Sequence, residues 1–210
     1  MSSLKSALVL GATGLVGRRL VQQLLNDHRY SNVTVLIRKP LPAGLFQDPH
    51  NKLAPVVIDF DALQDYQGYF SVNHVYCCLG TTMKKAGSKA AFRRVDFEYI
   101  HVAAQLTRAQ RCDSFVWISS VGADAKSSNY YLRVKGELEN AIMRMPQLDY
   151  ASAVRPSLLL GERDERRPLE QWGQRLAPLF KRLMVGALSK YRPVRAEDVA
   201  AKMISLQRFV

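Results

Sequence analysis

Long hydrophobic runs are missing from this 210-residue chain. None approaches the roughly 20 residues that a membrane-spanning helix needs. Near the N-terminus, only Lys5 precedes a short apolar run over residues 7–10, which meets Gly11 at once. A secretory signal requires a longer apolar stretch and a small-residue cleavage site, so none is expected. Cysteine is scarce: three residues, two of them adjacent (Cys77, Cys78) in an apolar run. That excludes a disulfide framework and reads as small core side chains in a reducing compartment, so a cytoplasmic location is expected. The four histidines (His28, His50, His74, His101) show no metal-ligand spacing, and no Cys-x-x-Cys pair occurs. No metal is expected. Acidic residues are few, 18 against 30 Lys and Arg, for a net charge of +12. An excess of that size leaves an anionic cofactor, nucleic acid or an acidic membrane surface as candidate partners.

With 48% hydrophobic and 23% charged residues, the chain is able to bury a full core. No fixed-period repeat or low-complexity tract divides it. Short apolar runs alternate with helical patterns, the signature of a parallel sheet covered on both faces. Strands are expected over residues 7–10, 33–37, 54–58, 74–79, 115–119 and 150–154. Helices are expected from the glycine loop to about 27, over 61–66, 89–111 and 131–145, and finally over 197–207. Phe97, Ile100 and Ala104 share one helical face. A charged loop over 161–168 and an amphipathic helix over 169–183 complete the C-terminal part. The expectation is one α/β domain over residues 1–210, with a core over about 4–155 and a small substrate or lid region over about 156–210.

Gly11-Ala-Thr-Gly14-Leu-Val-Gly17 stands directly after the first strand and before the first helix. A tight turn there lets the backbone approach a pyrophosphate, and the helix N-terminus offers free N–H groups and a positive dipole end. An NAD site places an acidic residue at the end of the second strand, on the ribose 2′-hydroxyl. Here that strand ends Leu36-Ile37-Arg38-Lys39. Two cations suit a 2′-phosphate instead, with Arg18 as a helper, so NADP(H) is expected. Asp59 after the third strand suits the adenine, and Leu79-Gly80-Thr81 after the fourth suits a ribose or pyrophosphate.

Tyr131-Leu-Arg-Val-Lys135 sets a phenol and an ammonium on one helical face. A free tyrosine has a pKa of roughly 10, and a nearby cation favours its phenolate. Tyr131 is therefore the candidate acid/base and Lys135 its tuning cation, with a second role toward the nicotinamide ribose. Ser120, just past the fifth strand, is the candidate for polarising a carbonyl, in preference to Ser119. Tyr130 is five residues from Lys135 and faces elsewhere.

In this order, the blocks GATGLVG, LIRK, CLGTT, RRVDFEY, WISSVGAD, YYLRVKGELE and RPSLLLGERDERRP resemble the atypical, extended-like short-chain dehydrogenase/reductases. They are similar in particular to the Tat-interacting oxidoreductase-like proteins and their bacterial relatives. The blocks run over residues 11–168, about three quarters of the chain. The resemblance implies a three-layer Rossmann fold with a doubly wound, mostly parallel sheet, NADPH as cofactor, and a Tyr/Lys pair at Tyr131 and Lys135. It carries cofactor contacts to Thr13, Gly14, Leu15, Val16, Arg38, Lys39, Leu79 and Gly80. It also sets Leu159 and Arg167 over the nicotinamide end. Asp96 departs from the family pattern, since many such dehydrogenases have Asn there.

The expected activity is NADP(H)-dependent hydride transfer to or from a small carbonyl or alcohol. The alternative is a non-catalytic NADPH-binding protein that senses redox state or regulates a partner. The basic doublets Lys84-Lys85, Arg93-Arg94, Arg166-Arg167 and Lys181-Arg182 are scattered, without a nucleic-acid-binding motif. Nucleic acid is not an expected partner. A homodimer through the apolar faces of the 89–111 and 131–145 helices is.

Overall fold

In the computed structural model, residues 3–148, 150–157, 159–160 and 193–209 are described. Its first strand, β1 (Lys5–Leu10), alternates Ala7 and Val9 with Leu8 and Leu10, all fully buried. A strand whose side chains are apolar on both faces needs a cover on each, which is the signature of an interior parallel strand. β1 indeed pairs with β2 (Tyr30–Ile37) on one side and β4 (His74–Cys77) on the other, both parallel. With β3 (Leu53–Val57), β5 (Ser114–Ile118) and β6 (Ala151–Val154), the sheet runs β3-β2-β1-β4-β5-β6, every pair parallel.

Helix α1 (Leu15–Asn26) buries Val16, Leu20, Val21 and Leu24 on one stripe. It packs with Ala7 and Val9 in a layer completed by Val199, Ala200 and Met203 from the last helix. The opposite layer holds Leu8 and Leu10 against Ile100, Ala104, Leu138 and Ile142. Its helices are α4 (Tyr99–Ala109) and α5 (Tyr130–Met143), and the short helices α2 (Met83–Ala86) and α3 (Lys89–Arg93) lead from β4 into α4. The last helix, α6 (Ala196–Ser205), follows a two-stranded parallel ladder of β7 (Leu159–Leu160) and β8 (Val194–Arg195). The result is the three-layer, doubly wound α/β architecture expected. Because the chain leaves β1 toward one layer and β4 toward the other, a crevice opens between their carboxyl ends.

Four elements differ most from expectation. The helix expected over 89–111 stops at Ala109 and contains a π-helical turn, Arg94–Glu98, between α3 and α4. The segment expected as a helix over 61–66 is a 3₁₀ stretch, Phe60–Phe70, kinked at Ala62 and Tyr66. The fourth and fifth strands end at Cys77 and Ile118, two residues and one residue early. There the backbone turns out of the sheet, while Cys78 N still donates to Leu10 O at 2.8 Å and Ser119 N to Val154 O at 2.7 Å. The loop over 161–168 and the helix over 169–183 lie outside the described residues.

Candidate functional site

A cleft of about 890 Å³ lies over the carboxyl ends of β1, β4, β5 and β6. That size suits a cofactor or small ligand, about 300–1,000 Å³ being usual. Its near wall is the glycine loop, where the three glycines divide the work. Gly11 has φ +83°, and a Cβ on it would lie 2.6 Å from the Cys78 carbonyl carbon. On Gly17, a Cβ would lie 2.1 Å from Gly11 O. Both therefore let backbones pass where no side chain fits, beneath the site. Gly14 is different: exposed, in the cleft wall, and the N-cap of α1 with no side-chain cap. Helix geometry leaves the first-turn amides without intrahelical partners. An uncapped N-terminus facing a cleft is a cradle for an anion.

Thr13, Gly14, Leu15 and Val16 line this cleft from α1's side, and Leu79, Gly80 and Thr81 from the β4 side. Leu159 and Lys135 reach it as well. Arg18, also in the wall, donates from Nε to Thr13 O at 2.9 Å, tying the helix back onto the loop. Arg38 and Lys39 form an exposed bend after β2 and do not contribute to the cleft wall. Asp59 is likewise outside it; its carboxylate accepts from Asp61 N at 2.9 Å and caps the 3₁₀ stretch. Arg167 lies outside the described residues.

Tyr131 and Lys135 come from the first two turns of α5. The helix starts there because Asn129 Oδ1 accepts from Tyr131 N (3.0 Å) and Leu132 N (3.3 Å), an Asn N-cap. Tyr131 is half-buried in the cleft, with its ring 5.7 Å from that of Phe92. Tyr130 points away, its hydroxyl donating to Lys89 O at 2.9 Å. Both Ser119 and Ser120 line the cleft. Ser120 Oγ turns to Val121 O at 3.3 Å, whereas Ser119 Oγ is buried without a partner. A buried hydroxyl facing a cleft without a partner is one a ligand can satisfy. It joins the glycine cradle in fitting these residues to a dinucleotide and a small substrate.

Lys135 has a partner that sequence reasoning did not assign. Its Nζ lies 2.8 Å from Asp96 Oδ1, with both side chains almost fully buried. At that distance the ammonium and the carboxylate form a charge-assisted contact. The other oxygen, Oδ2, accepts from Thr81 N at 2.8 Å. Burial pushes the Asp96 carboxyl above its ordinary 3.8, and Lys135 pulls it back only in part. A sequence signal did exist: Asp96, Ile100, Ala104 and Thr107 follow one helical stripe, and a carboxylate on an apolar stripe calls for a buried cation. Which cation was beyond reach. Among the described residues, no His/Cys/Asp/Glu group is arranged to hold a metal ion, and no helix is long and apolar enough to cross a membrane.

A family model described as NAD(P)H-binding matches residues 11–179. The chain is 40% identical to Protein HTATIP2 of Rattus norvegicus over 167 residues, covering 79% of this chain and 67% of that one. It is 30% identical to Protein FMP52, mitochondrial, of Lodderomyces elongisporus over 200 residues, covering 92% and 83%. Among solved structures, it superposes on MoeE5 in complex with UDP-glucose and NAD, with TM-score 0.68, 18% identity, and 96% and 71% of the two chains covered. The Bordetella bronchiseptica enzyme WbmH in complex with NAD+ gives TM-score 0.69, 16% identity, and 97% and 72% coverage. At such identities the structural likeness speaks for the fold.

Proposed function

The chain belongs to the NAD(P)H-binding family, and from that premise we propose that it is an NADP(H)-dependent oxidoreductase of the short-chain dehydrogenase/reductase type. The substrate in this reading is a small carbonyl or alcohol. One observation carries it: the uncapped N-terminus of α1, Tyr131, Lys135 and the two serines converge on a single cleft at the carboxyl ends of the strands.

The α1 amides hold the pyrophosphate, and Leu79 to Thr81 hold the adjoining ribose. Arg38 and Lys39, with Arg18, favour the 2′-phosphate of NADP over NAD by their charge, with Asp59 toward the adenine and Leu159 and Arg167 toward the nicotinamide. When bound, the reduced cofactor supplies a hydride to the carbonyl carbon. Tyr131 Oη gives its proton to the carbonyl oxygen and regains one from solvent. A serine hydroxyl, Ser120 or its partner-less neighbour Ser119, donates to the same oxygen and orients it. The same reading includes a cytoplasmic location, a homodimer, and one domain over the whole chain with a C-terminal region closing on substrate.

Tyr131→Phe tests the assignment. Turnover of a carbonyl panel should fall by about 100-fold or more, the scale of a lost general acid. Thermal stabilisation by NADPH should persist, about 2.7 kcal/mol at roughly 100 times its Kd. NADH should shift the wild type less than NADPH does. Unchanged turnover in Tyr131→Phe, or an equal NADH shift, would sink the corresponding part. Strong NADPH binding with no turnover across the panel favours the regulatory alternative.

A further inference from the structure

Asp96 and Lys135 tie four parts of the cleft floor together. Asp96 sits in the π-helical turn between α3 and α4, and it is the buried residue of that turn. Its Oδ2 takes the Thr81 amide of the β4 loop, and its Oδ1 faces Lys135 of α5. Lys135 Nζ reaches on to Ile118 O, at the end of β5, at 3.4 Å. Gly80 of the same loop lies beside the pair, where a Cβ on it would meet Asp96 Oδ1 at ordinary contact distance, 3.5 Å. π-turns inside helices recur at functional sites, where they re-aim a side chain.

Stability does not explain such a pair. Two charges taken out of water recover their desolvation cost poorly, and an apolar replacement is often as good. The Asp96 carboxyl shows that cost directly, since burial destabilises its charged form. A costly ion pair under a cleft, beside an acid/base candidate, is better explained by what it does to its neighbour. An ammonium four residues from a phenol would favour the phenolate; one whose charge is offset does so much less.

We propose that Asp96 is a positioning residue that anchors the Lys135 ammonium to the cleft floor and offsets its charge, keeping Tyr131 a proton donor for carbonyl reduction. This rests on the oxidoreductase reading for its use, but not for its physics. The other groups that face the pair leave that balance to Asp96. From β4, the Cys77 thiol is pushed up to about 12 by burial and stays neutral. From β5 comes the Ser119 hydroxyl, which carries no charge. Arg93 of α3 is neutralised by Glu137 of α5 at 2.6 Å. The other cations of the cleft wall are Lys85 of α2 and, on α1, Arg18, which donates to Thr13 O, and Arg19, which pairs with Glu197 at 3.1 Å.

The test follows the Tyr131 phenol itself, in full-length protein carrying ¹³Cζ-labelled tyrosine. The Tyr131 resonance is identified by its loss in Tyr131→Phe. In Asp96→Asn, its ionisation midpoint should move to lower pH by about one unit, the least that an uncompensated neighbouring cation produces. In Asp96→Asn/Lys135→Met, the downward move should vanish, because the charge that drives it is gone. Asp96→Ser, which keeps an acceptor for the Thr81 amide, carries the same expectation should Asp96→Asn fail to fold. A midpoint that stays within a few tenths of a unit in a folded neutral variant overturns the proposal, as does a downward move that survives loss of Lys135. No cofactor or substrate is needed for this readout. A shifted midpoint in a protein that reduces no carbonyl upholds the role of Asp96 and overturns only the oxidoreductase reading.

Discussion

His74 Nε2 lies 2.8 Å from the Arg208 carbonyl oxygen, and Nδ1 lies 2.7 Å from the Tyr30 hydroxyl. A carbonyl only accepts, so Nε2 carries the hydrogen, and the neutral ring that burial favours accepts at Nδ1 from Tyr30. The Tyr76 hydroxyl then donates to Tyr30 at 2.7 Å, completing a buried chain. Burial holds His74 below its ordinary 6.5. The unfolded chain therefore takes up the proton first, so stability is fully present above about pH 6.5 and is lost as pH falls through the folded value. Thermal unfolding should show Tm falling below pH 6.5, and His74→Gln should flatten much of that slope. The less buried His101, also lowered by burial, adds to the same slope, and the carboxylates held low, Asp27, Asp48, Asp113 and Glu197, add to it at more acid pH. A slope unchanged in His74→Gln would contradict a neutral, buried His74. Nothing in the sequence around His74 shows its partners. The hydrogen-bond chain needs β1, β2 and β4 side by side, which brings together residues far apart in the sequence.

The start of α5 decides where the candidate acid/base stands. Asn129 satisfies two orphan amides, and Tyr131 and Lys135 then fall one turn apart on the cleft side. Asn129→Ala should cost about 1 kcal/mol of stability by chemical denaturation. If the oxidoreductase reading holds, it should also lower turnover, since the first turn carries Tyr131. A loss of turnover without any loss of stability would mean that Asn129 acts otherwise than as a cap. The Tyr-x-x-x-Lys face was legible because helical spacing is local. The π-turn was not: a single extra residue in a hydrogen-bonded turn leaves the apolar pattern of Ile100 and Ala104 intact. The 3₁₀ stretch escaped for a similar reason, since the Asp59 cap and the kinks at Ala62 and Tyr66 break a pattern too short to identify.

Across the whole molecule, α6 closes the layer over α1, with Met203 fully buried between them and the sheet. Met203→Ala should therefore cost about 2–5 kcal/mol. Met143, 63% exposed at the end of α5, should tolerate the same change within about 0.5 kcal/mol. Comparing the two in denaturant titrations checks that the C-terminal helix belongs to the core. Equal effects would show that it does not. The net charge of +12 also acquires positions at this scale. Lys135 is spent on Asp96, Arg93 on Glu137 and Arg155 on Glu139, while Arg38 and Lys39 remain on an exposed bend. Sequence alone determined the strands, the glycine turn and the Tyr–Lys face. Each is governed by periodicity or by sterics among near neighbours in the chain. Only the tertiary structure decided the strand order that opens the cleft, left Ser119 rather than Ser120 with a partner-less hydroxyl, and brought Asp96 against Lys135. Those depend on which distant segments share a buried space, and burial is what turns a carboxylate and an ammonium into a single unit.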